Sequence, residues 1–320
     1  MVKGEDYYTE KEYYGHEVEG IDTLDKPLII EVAPTGSFLR RDVNPNQPYT
    51  PEEVAEQAAA ACDAGASMCH IHVRNEEGIP DQRPETYAQT IDMIREEHDP
   101  VTTINVRSNR DGATYGRSLL EETLGRLIEE QGPGYIDLVT TSPLGDARDP
   151  EAPFVMSPDI FREWVEFLQE HDVKPEIQAY AFQAQENIRR WGIEPGVLEP
   201  PYYVNTVTGN HAYFRSGPTQ PLSAGIDYLR SMKEGSVLPE EDTVFGAIAG
   251  GRNWLPMTNQ AILMGFDLVR IGMEDTAMLY PHSDDPIESC AQVVEKVATI
   301  AEELGREVAT PEQTREILNV

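Results

Sequence analysis

The stretch TPEEVAEQAAAACDAGASMCHIHVR, residues 50–74, contains the repeating unit from which the whole fold is predicted. It opens with a threonine suited to an N-cap, a proline suited to the first helical turn, and two glutamates that favour the positive end of a helix. The helix predicted over residues 51–64 ends at Gly65, a residue typical of helix C-termini. An apolar strand follows over Ser67–Val73, so the stretch predicts a helix-to-strand unit of an α/β protein.

This alternation of short apolar runs and amphipathic segments continues from residue 28 to the end of the chain. Eight strands are predicted, at Leu28–Ala33, Ser67–Val73, Val101–Val106, Tyr135–Val139, Glu176–Tyr180, Tyr202–Thr206, Thr243–Ile248 and Asp267–Gly272. Eight helices are predicted among them, near residues 51–64, 84–98, 117–131, 158–171, 183–192, 221–233, 254–265 and 286–304.

Eight strand–helix units within about 280 residues predict an α/β fold of the (β/α)8 TIM barrel type. An open doubly wound sheet would more often carry a glycine-rich turn after its first strand. The segment APTGSF at residues 33–38 has no G-x-G-x-x-G pattern. We therefore assign residues 27–320 to a single barrel domain and residues 1–26 to an acidic, tyrosine-rich N-terminal extension.

The chain carries 57 acidic and 25 basic residues, and its net charge is −32. Such a charge repels phosphate backbones, so no nucleic-acid partner is expected. Concentrated salt would screen the repulsion among the acids, which favours a halophilic protein over the alternative of an ordinary acidic one. The acids are spread along the chain, at Glu52-Glu53, Glu76-Glu77, Glu96-Glu97, Glu240-Glu241-Asp242 and Glu302-Glu303 among other places.

No apolar run reaches about 18 residues, so no membrane-spanning helix is predicted. The segment 1–26 lacks the apolar centre of a secretory signal, so a cytoplasmic location is expected. The three cysteines, Cys62, Cys69 and Cys290, have no metal-ligand spacing and are interpreted as small core residues.

His70 and His72 stand at the end of the second predicted strand, where the active sites of barrels lie. Residues i and i+2 of a strand point to the same side, so the two imidazoles can converge on one metal ion. The alternative is a pair of hydrogen-bonded core histidines.

The last predicted strand ends in Arg270-Ile271-Gly272-Met273-Glu274-Asp275. Barrel closure brings this strand beside the first, with the second strand next, so Glu274 can reach the histidine pair. Two nitrogens and one carboxylate leave an open coordination position, as in catalytic zinc sites. The alternative is that Glu274 and Asp275 lie at the N-terminus of a helix, where acids are favoured.

These residues belong to an ordered series of short motifs that runs from about Lys26 to Leu318. The series comprises Ala33-Pro34-Thr35-Gly36, Tyr49-Thr50-Pro51-Glu52-Glu53, Asp63-Ala64-Gly65-Ala66, His70-Ile71-His72-Val73-Arg74, Pro175-Glu176, Ala249-Gly250-Gly251-Arg252 and Val269-Arg270-Ile271-Gly272-Met273-Glu274-Asp275. Each motif alone is weakly specific, whereas the ordered set is specific. In this series the chain resembles the β-keto acid cleavage enzymes, the family that includes 3-keto-5-aminohexanoate cleavage enzyme.

The resemblance implies a zinc-dependent barrel, commonly a homotetramer, that converts a β-keto acid and acetyl-CoA into acetoacetate and a new acyl-CoA. It also implies that His70, His72 and Glu274 hold one zinc ion per subunit. Asp275 matches the catalytic acid–base residue, and Arg270 matches the arginine that positions it. These groups suit the chemistry, because a metal polarises a ketone and a nearby carboxylate moves the proton.

The substrate-binding positions depart from those of the aminohexanoate enzyme, in which acidic residues receive the substrate amine. Phe38 follows the segment that begins at Thr35, and Ala181 follows Tyr180. Neither Phe38 nor Ala181 can pair with an ammonium group, so an apolar or anionic β-keto acid is expected. Thr35, Phe38 and Ala181 are counted among the candidate substrate-binding residues.

After the third predicted strand, where family members often hold the substrate carboxylate with small hydroxyl residues, this chain reads NVRSNR at residues 105–110. Either Ser108 serves this role, or Arg107 binds an anionic group through two hydrogen bonds. In a third interpretation, Arg107 forms a salt bridge with Asp137 inside the barrel, so Asp137 is also a candidate residue.

Gly250, Gly251 and Arg252 follow the seventh predicted strand, where barrels frequently bind phosphate. One interpretation is a contact with a phosphate of CoA, with Arg252 as the donor. The other is a tight turn with a surface arginine.

Three other functions compete with this interpretation. A metal-dependent barrel such as an amidohydrolase or an aldolase is one, although the histidine pair of amidohydrolases ends the first strand. An iron oxygenase also uses two histidines and a carboxylate, but usually in an all-β fold. The third is a barrel that binds a metal or acyl-CoA without catalysis, which would not need Asp275.

Overall fold

The fold is a closed barrel of eight parallel strands, seen in a computed structural model that describes residues 22–106, 120–143, 156–211, 214–216 and 221–320. The strands are β1 (Ile29–Val32), β2 (Met68–Ile71), β3 (Val101–Ile104), β4 (Leu138–Thr141), β5 (Lys174–Ala179), β6 (Tyr202–His211), β7 (Thr243–Gly250) and β8 (Leu268–Ile271). Each strand pairs in parallel with the next, and β8 pairs with β1 to close the ring. The predicted TIM barrel is confirmed.

Helices surround the barrel, and none in the described part of the chain is both long and apolar enough to cross a membrane. They are α1 (Pro51–Asp63), α2 (Pro84–Arg95), α3 (Arg126–Gln131), α4 (Pro158–Glu170), α5 (Phe182–Ile188), α6 (Leu222–Glu234), α7 (Trp254–Leu263), α8 (Cys290–Glu303) and α9 (Pro311–Leu318). A π-helical turn, Glu121–Gly125, precedes α3, and another, Arg189–Ile193, follows α5.

Local capping explains where several helices begin. Thr50 forms a capping box with Glu53 at the start of α1, as its sequence indicates. Thr310 forms the same motif with Gln313 at the start of α9. Helix α9 is absent from the predicted set, and it packs Leu318 against the lower end of the barrel interior.

Two strand boundaries differ from the predictions for a packing reason. Strand β4 does not begin at Tyr135, because that side chain turns outward and its hydroxyl contacts Asp92 of α2 at 2.6 Å. Strand β2 ends its barrel pairing at Ile71, and the next residues, Val73–Arg74, pair antiparallel with Pro80–Asp81 in a short ribbon. The ribbon therefore stands at the mouth of the barrel, just above the histidine pair.

Inward-facing side chains form two layers of different character inside the barrel. The lower layer is apolar and consists of Ile29, Met68, Val101, Leu138, Tyr203, Val244 and Leu268. Two residues farther along the strands lies a buried polar layer, which comprises Glu31, His70, Thr103, Thr140, Glu176, Asn205 and Arg270. The polar layer needs room, and Gly246 supplies it, since a Cβ there would lie 1.8 Å from Asn205 Oδ1. Polar groups at this depth require partners, so this layer identifies the chemically active end of the barrel.

The distribution of exposed acids generates a prediction about salt. The acidic pairs singled out in the sequence are exposed, except Glu53, which is half-buried and bonded to Arg41. Because salt screens repulsion among exposed charges, the unfolding temperature should rise by about 5 °C or more between about 0.1 M and about 2 M KCl. Calorimetry at both KCl concentrations measures the unfolding temperature, and sucrose of equal osmolality is the control. An unchanged unfolding temperature would contradict the halophile interpretation.

Candidate metal centre

Two imidazoles and one carboxylate converge where β2 and β8 end. His70 Nε2 lies 3.4 Å from Glu274 Oε2, and His72 Nε2 lies 3.2 Å from Glu274 Oε1. Ligands about 2.0–2.2 Å from a tetrahedral ion are separated by roughly 3.3–3.5 Å, so both distances suit a shared ion. The three side chains are buried, and their ligand atoms lie close enough together to hold one metal.

Two glycines allow the loops after β1 and β8 to interlock at this point. A Cβ on Gly36 would lie 2.4 Å from Cγ of Glu274, so only glycine lets the carboxylate side chain approach. Gly272 has a φ of +140°, and a Cβ there would lie 2.2 Å from the carbonyl oxygen of Ala33. The Glu274 amide donates to the same carbonyl at 3.1 Å. The backbone thereby aims Glu274 back over the barrel.

Asp275 is held by Arg270 immediately beside the three converging groups. Arg270 donates to Asp275 through Nε at 3.1 Å and through Nη2 at 2.9 Å, a bidentate pair in which both residues are buried. Nη2 also lies 3.6 Å from Glu274 Oε1. Burial opposes the charge on the guanidinium, but Asp275 and Glu274 outweigh it and hold the pKa of Arg270 well above its ordinary value. The pair therefore keeps an oriented carboxylate next to the ligand set.

Glu176 supports His70 from below. Its Oε2 lies 3.4 Å from His70 Nδ1 and accepts from Thr103 Oγ1 at 2.8 Å, while its Oε1 accepts from Asn205 Nδ2 at 2.9 Å. Burial opposes ionisation, yet the facing His70 ring and the Arg270 guanidinium lower the pKa of Glu176 to about 2. A carboxylate on one ring nitrogen fixes the proton there and leaves the other nitrogen free to bind a metal.

Glu31 is the second acid below His70, 3.7 Å from its Nδ1, and it accepts from Tyr203 at 3.3 Å. Burial, together with the charge of Glu176, raises the pKa of Glu31 well above its ordinary value. Glu31, His70 and Glu176 are also close enough together to hold an ion. An imidazole that binds a metal through Nε2 keeps a proton on Nδ1, so a hydrogen-bonding role suits this lower group better.

His72 is supported on its other nitrogen by the loop after β1. Ser37 Oγ lies 3.3 Å from His72 Nδ1, on the opposite side of the ring from Glu274. Both histidines thus present Nε2 to Glu274 and Nδ1 to a polar partner. His70 Nε2 is buried and makes no hydrogen bond within the described part of the chain, which suits it to a metal ion.

The excess of buried acids at this point also favours a cation. Burial opposes ionisation of Glu274, but His72 and Arg270 hold its pKa well below the ordinary value. Four buried acids, Glu31, Glu176, Glu274 and Asp275, act on the single guanidinium of Arg270. A bound cation would offset this local excess of negative charge.

Only some of the other predicted site residues lie at the mouth of the barrel in the described part of the chain. Thr35 and Phe38 follow β1 at the mouth, and Ala181 is the N-cap of α5, which follows β5 there. The Thr35 hydroxyl already accepts from Gln47 Nε2 at 2.9 Å, in the buried part of that loop. Arg107 and Ser108 lie outside the described residues.

Asp137 is not brought to the site. It directly precedes β4, at the N-terminal end of the barrel opposite the mouth, and its carboxylate accepts from the Thr102 amide at 2.7 Å. The interpretation of Asp137 as a substrate-binding residue, or as a partner for an arginine at the mouth, is therefore withdrawn. The prediction began β4 three residues too early, and this counted Asp137 as part of the strand.

The loop after β7 has a structural contact of its own. Arg252 forms an ion pair with Asp284 and donates to the carbonyl of Ser283 at 2.6 Å. Gly250 ends β7, and Gly251, with a φ of +80°, donates its amide to the carbonyl of Asp275 at 2.9 Å. The loop therefore braces the segment that carries Asp275, and its arginine already has a carboxylate partner.

Known proteins are similar to this chain in sequence and in fold. A family model described as beta-keto acid cleavage enzyme matches residues 27–320. The chain belongs to this family. It is therefore an enzyme of C–C bond cleavage and acetyl transfer, and the expected resemblance is confirmed.

The chain is similar to several characterised members of the family. It is 31% identical over 293 residues to a 3-keto-5-aminohexanoate cleavage enzyme of Acetoanaerobium sticklandii, covering 92% of this chain and 98% of that protein. It is 29% identical over 301 residues to a 3-oxoadipate:acetyl-CoA acetyltransferase of Cupriavidus necator, covering 93% of this chain and 96% of that protein. The solved apo structure of ObcA shares the fold, with a TM-score of 0.69 at 14% identity over 86% of this chain and 66% of that one.

The sequence reasoning missed most of the supporting polar layer. Glu31 lies inside an otherwise apolar strand, and Glu176 lies between Pro175 and Ile177 in another. A charged residue within a predicted buried strand was the available signal, since such a group survives burial only with partners. Ser37 gave no such signal, because its contact depends on how the loop folds over the barrel.

Glu176→Gln should weaken metal binding by about 10- to 100-fold, because the side chain that faces His70 Nδ1 loses its negative charge. Titration of the metal-free protein with Zn²⁺ against a chromophoric chelator measures the affinity, and the Co²⁺ absorption spectrum reports the ligand geometry. Asp137→Asn, which neutralises a buried acid at the other end of the barrel, is the matched control. Equal affinities in the Gln variant and the wild type would refute the supporting role.

Proposed function

We propose that this protein is a zinc-dependent β-keto acid cleavage enzyme that takes a β-keto acid and acetyl-CoA and yields acetoacetate and a new acyl-CoA. The observation that carries the proposal is the convergence of His70 Nε2, His72 Nε2 and the Glu274 carboxylate beside the Arg270–Asp275 pair. The names of the similar enzymes support acetyl-CoA as the co-substrate.

A zinc ion held by His70, His72 and Glu274 would supply Lewis-acid polarisation of the substrate ketone. Nitrogen and carboxylate donors with one open position suit zinc. One ion per subunit is proposed because the second group of possible ligands in the described residues, Glu31, His70 and Glu176, shares His70 with the first. Glu176 and Ser37 would orient the two rings. Metal analysis of the purified protein, expected to give about one zinc per chain, tests this assignment.

Asp275 is the residue proposed to move the proton. It follows Glu274 by one residue, so it would lie beside a substrate held at the metal, and its two contacts with Arg270 would hold the carboxylate in one orientation. It would take a proton from the carbon between the ketone and the carboxylate, and that carbon would then attack the acetyl-CoA thioester. The released thiolate would add to the original ketone, and cleavage of the bond between that ketone carbon and the attacking carbon would give the new acyl-CoA and the carbanion of acetoacetate. Asp275 would then return its proton to that carbanion and yield acetoacetate.

The substrate is proposed to be a β-keto acid without a cationic group. Phe38 and Ala181 border the mouth, and neither carries a charge that could receive an ammonium group. The mouth instead holds arginines from the β1 loop and from the ribbon after β2. Arg107 and Ser108 remain candidates for the substrate carboxylate. Arg252 with Gly250 and Gly251 is a weaker candidate for CoA phosphate, because binding would have to displace Asp284.

Three further properties are proposed from the sequence: a cytoplasmic location, adaptation to high salt, and assembly into a homo-oligomer of four chains. The charge of −32 supports the second, and the resemblance to the family supports the third. Light scattering coupled to gel filtration in about molar salt measures the mass of the assembly.

The function is tested by measuring acetoacetate release from acetyl-CoA and a panel of β-keto acids with zinc in about molar KCl. The panel contains neutral, dicarboxylic and amino keto acids, and we expect turnover with one of the first two kinds. His70→Ala should remove turnover together with bound zinc, whereas His171→Ala, which changes a half-buried ring bonded to Phe167 of α4, should leave both unchanged. Turnover that survives in His70→Ala, or none with any keto acid, would reject the proposal.

Asp275→Asn should lower kcat by about 10²–10⁴-fold while zinc content stays at the wild-type level, because the amide keeps the size of the side chain but cannot accept the proton. Steady-state kinetics and metal analysis of the same preparation give both values. Asp227→Asn, which neutralises an exposed acid bonded to Arg230 on the outer helix α6, serves as the control. Retained kcat in Asp275→Asn would assign proton transfer to another group.

A further inference from the structure

Two arginines meet at the mouth of the barrel beside the metal ligands. Arg74 lies in the ribbon after β2, and Arg40 lies in the loop after β1. Both donate to the carbonyl oxygen of Gly78, at 3.3 Å and 3.5 Å respectively. We call Arg40 and Arg74 the mouth arginines. Like charges approach this closely only where something offsets their repulsion.

Arg74 is almost completely buried, with 1% of its surface exposed. One face of its guanidinium lies over the Tyr49 ring at 5.2 Å, and its Nη1 donates to Gly78. The other edge, Nε and Nη2, has no hydrogen-bond partner in the described residues. These two donors form the edge that binds a carboxylate side-on, and Arg270 uses the same two atoms to hold Asp275.

The absence of an acidic partner is unusual in this chain. With 57 acids for 25 bases, other arginines near the mouth pair readily, Arg41 with Glu53 and Arg252 with Asp284. Within the described ranges, no carboxylate forms an ion pair with either mouth arginine. A buried guanidinium without a counter-ion is costly, so an anion supplied from outside would stabilise it.

Arg74 and Arg40 are close in the chain to the metal ligands and to a residue that contacts them. Arg74 follows His72 by two residues, in the ribbon that begins directly after the histidine pair. The charge of Glu274 also acts on its guanidinium. Arg40 follows Ser37, the residue in contact with His72, by three positions. An anion at this edge would therefore lie near a substrate held by the metal ligands.

The structures of the two proposed substrates indicate which anion would lie at this edge. The phosphates of acetyl-CoA are separated from its thioester by the long pantetheine arm, so they cannot lie this near the metal ligands while the thioester reacts there. The carboxylates of a short keto acid lie within a few bonds of its ketone. A carboxylate is planar, so its two oxygens can accept from Nε and Nη2 of Arg74 at the same time.

We propose that Arg74, assisted by Arg40, binds a carboxylate of the β-keto acid substrate. This inference rests on the proposed function, because it takes the bound molecule to be a keto acid. The carboxylate has two sources, the one that every β-keto acid carries and a second one at the far end of a dicarboxylic substrate. In either case the site selects against substrates that bring a cation to this edge.

Calorimetric titration of the zinc-loaded protein with acetoacetate and with 3-oxoadipate tests the proposal. Arg74→Met should weaken binding of at least one of them about tenfold or more, because a charged hydrogen-bonded contact is lost. Weakening with both ligands identifies the common carboxylate, and weakening with 3-oxoadipate alone identifies the distal one. Arg74→Lys should recover part of the affinity, since it keeps the charge without the bidentate edge.

Arg95→Met is the matched control, because Arg95 of α2 also stacks on a tyrosine, Tyr135, in the outer layer of helices. Its keto-acid affinity should equal that of the wild type. A lower unfolding temperature of Arg74→Met with unchanged affinity for both ligands would overturn the proposal and leave Arg74 as a support for the ribbon. A rise confined to the KM for acetyl-CoA would also overturn it. If the wild-type protein bound neither keto acid, the proposed function itself would fail.

Discussion

Arg270 is the buried cation on which the arrangement of the barrel mouth depends. Four buried carboxylates, those of Glu31, Glu176, Glu274 and Asp275, act on its guanidinium. In an interior of effective dielectric constant about 20, one charge pair at about 4 Å is worth about 4 kcal/mol, which is comparable to the cost of removing an ion from water. One arginine can stabilise some of these acids, but not all of their charge. The remaining negative charge favours a cation in the interior, where His70, His72 and Glu274 could hold one.

The polar layer and the metal ligands therefore form one electrostatic unit. Glu176 is anchored by Thr103 and Asn205, so it can face His70 without moving. Ser37 faces His72 from a loop that Gly36 allows to lie against Glu274. Preorganised partners of this kind reduce the reorganisation that a metal or substrate would otherwise require. Arg74, in the ribbon directly after the histidine pair, adds a buried positive charge at the mouth.

Much of the barrel and of the metal-ligand set could be predicted, because strand periodicity and barrel closure are strong constraints. The spacing of His70 and His72 places both on one side of a strand, and closure brings β8 beside β1, so the approach of Glu274 follows from topology. Asp137 shows the limit: an error of three residues in the start of β4 moved it to the wrong end of the barrel. Strand ends depend on tertiary packing, here the outward turn of Tyr135, which local sequence does not encode.

The order of the amino acids accounts for the eightfold alternation, the capped helix starts such as Thr50, the large negative charge and the residues able to bind a metal. Which polar groups support those residues depends on how the chain folds. Glu176 is more than 100 positions from His70 in the chain, and Ser37 is 35 positions from His72, yet both contacts lie within 3.4 Å. Such pairings arise from the closed ring and the course of the β1 loop, because hydrogen bonds depend on distances in space that no local pattern specifies.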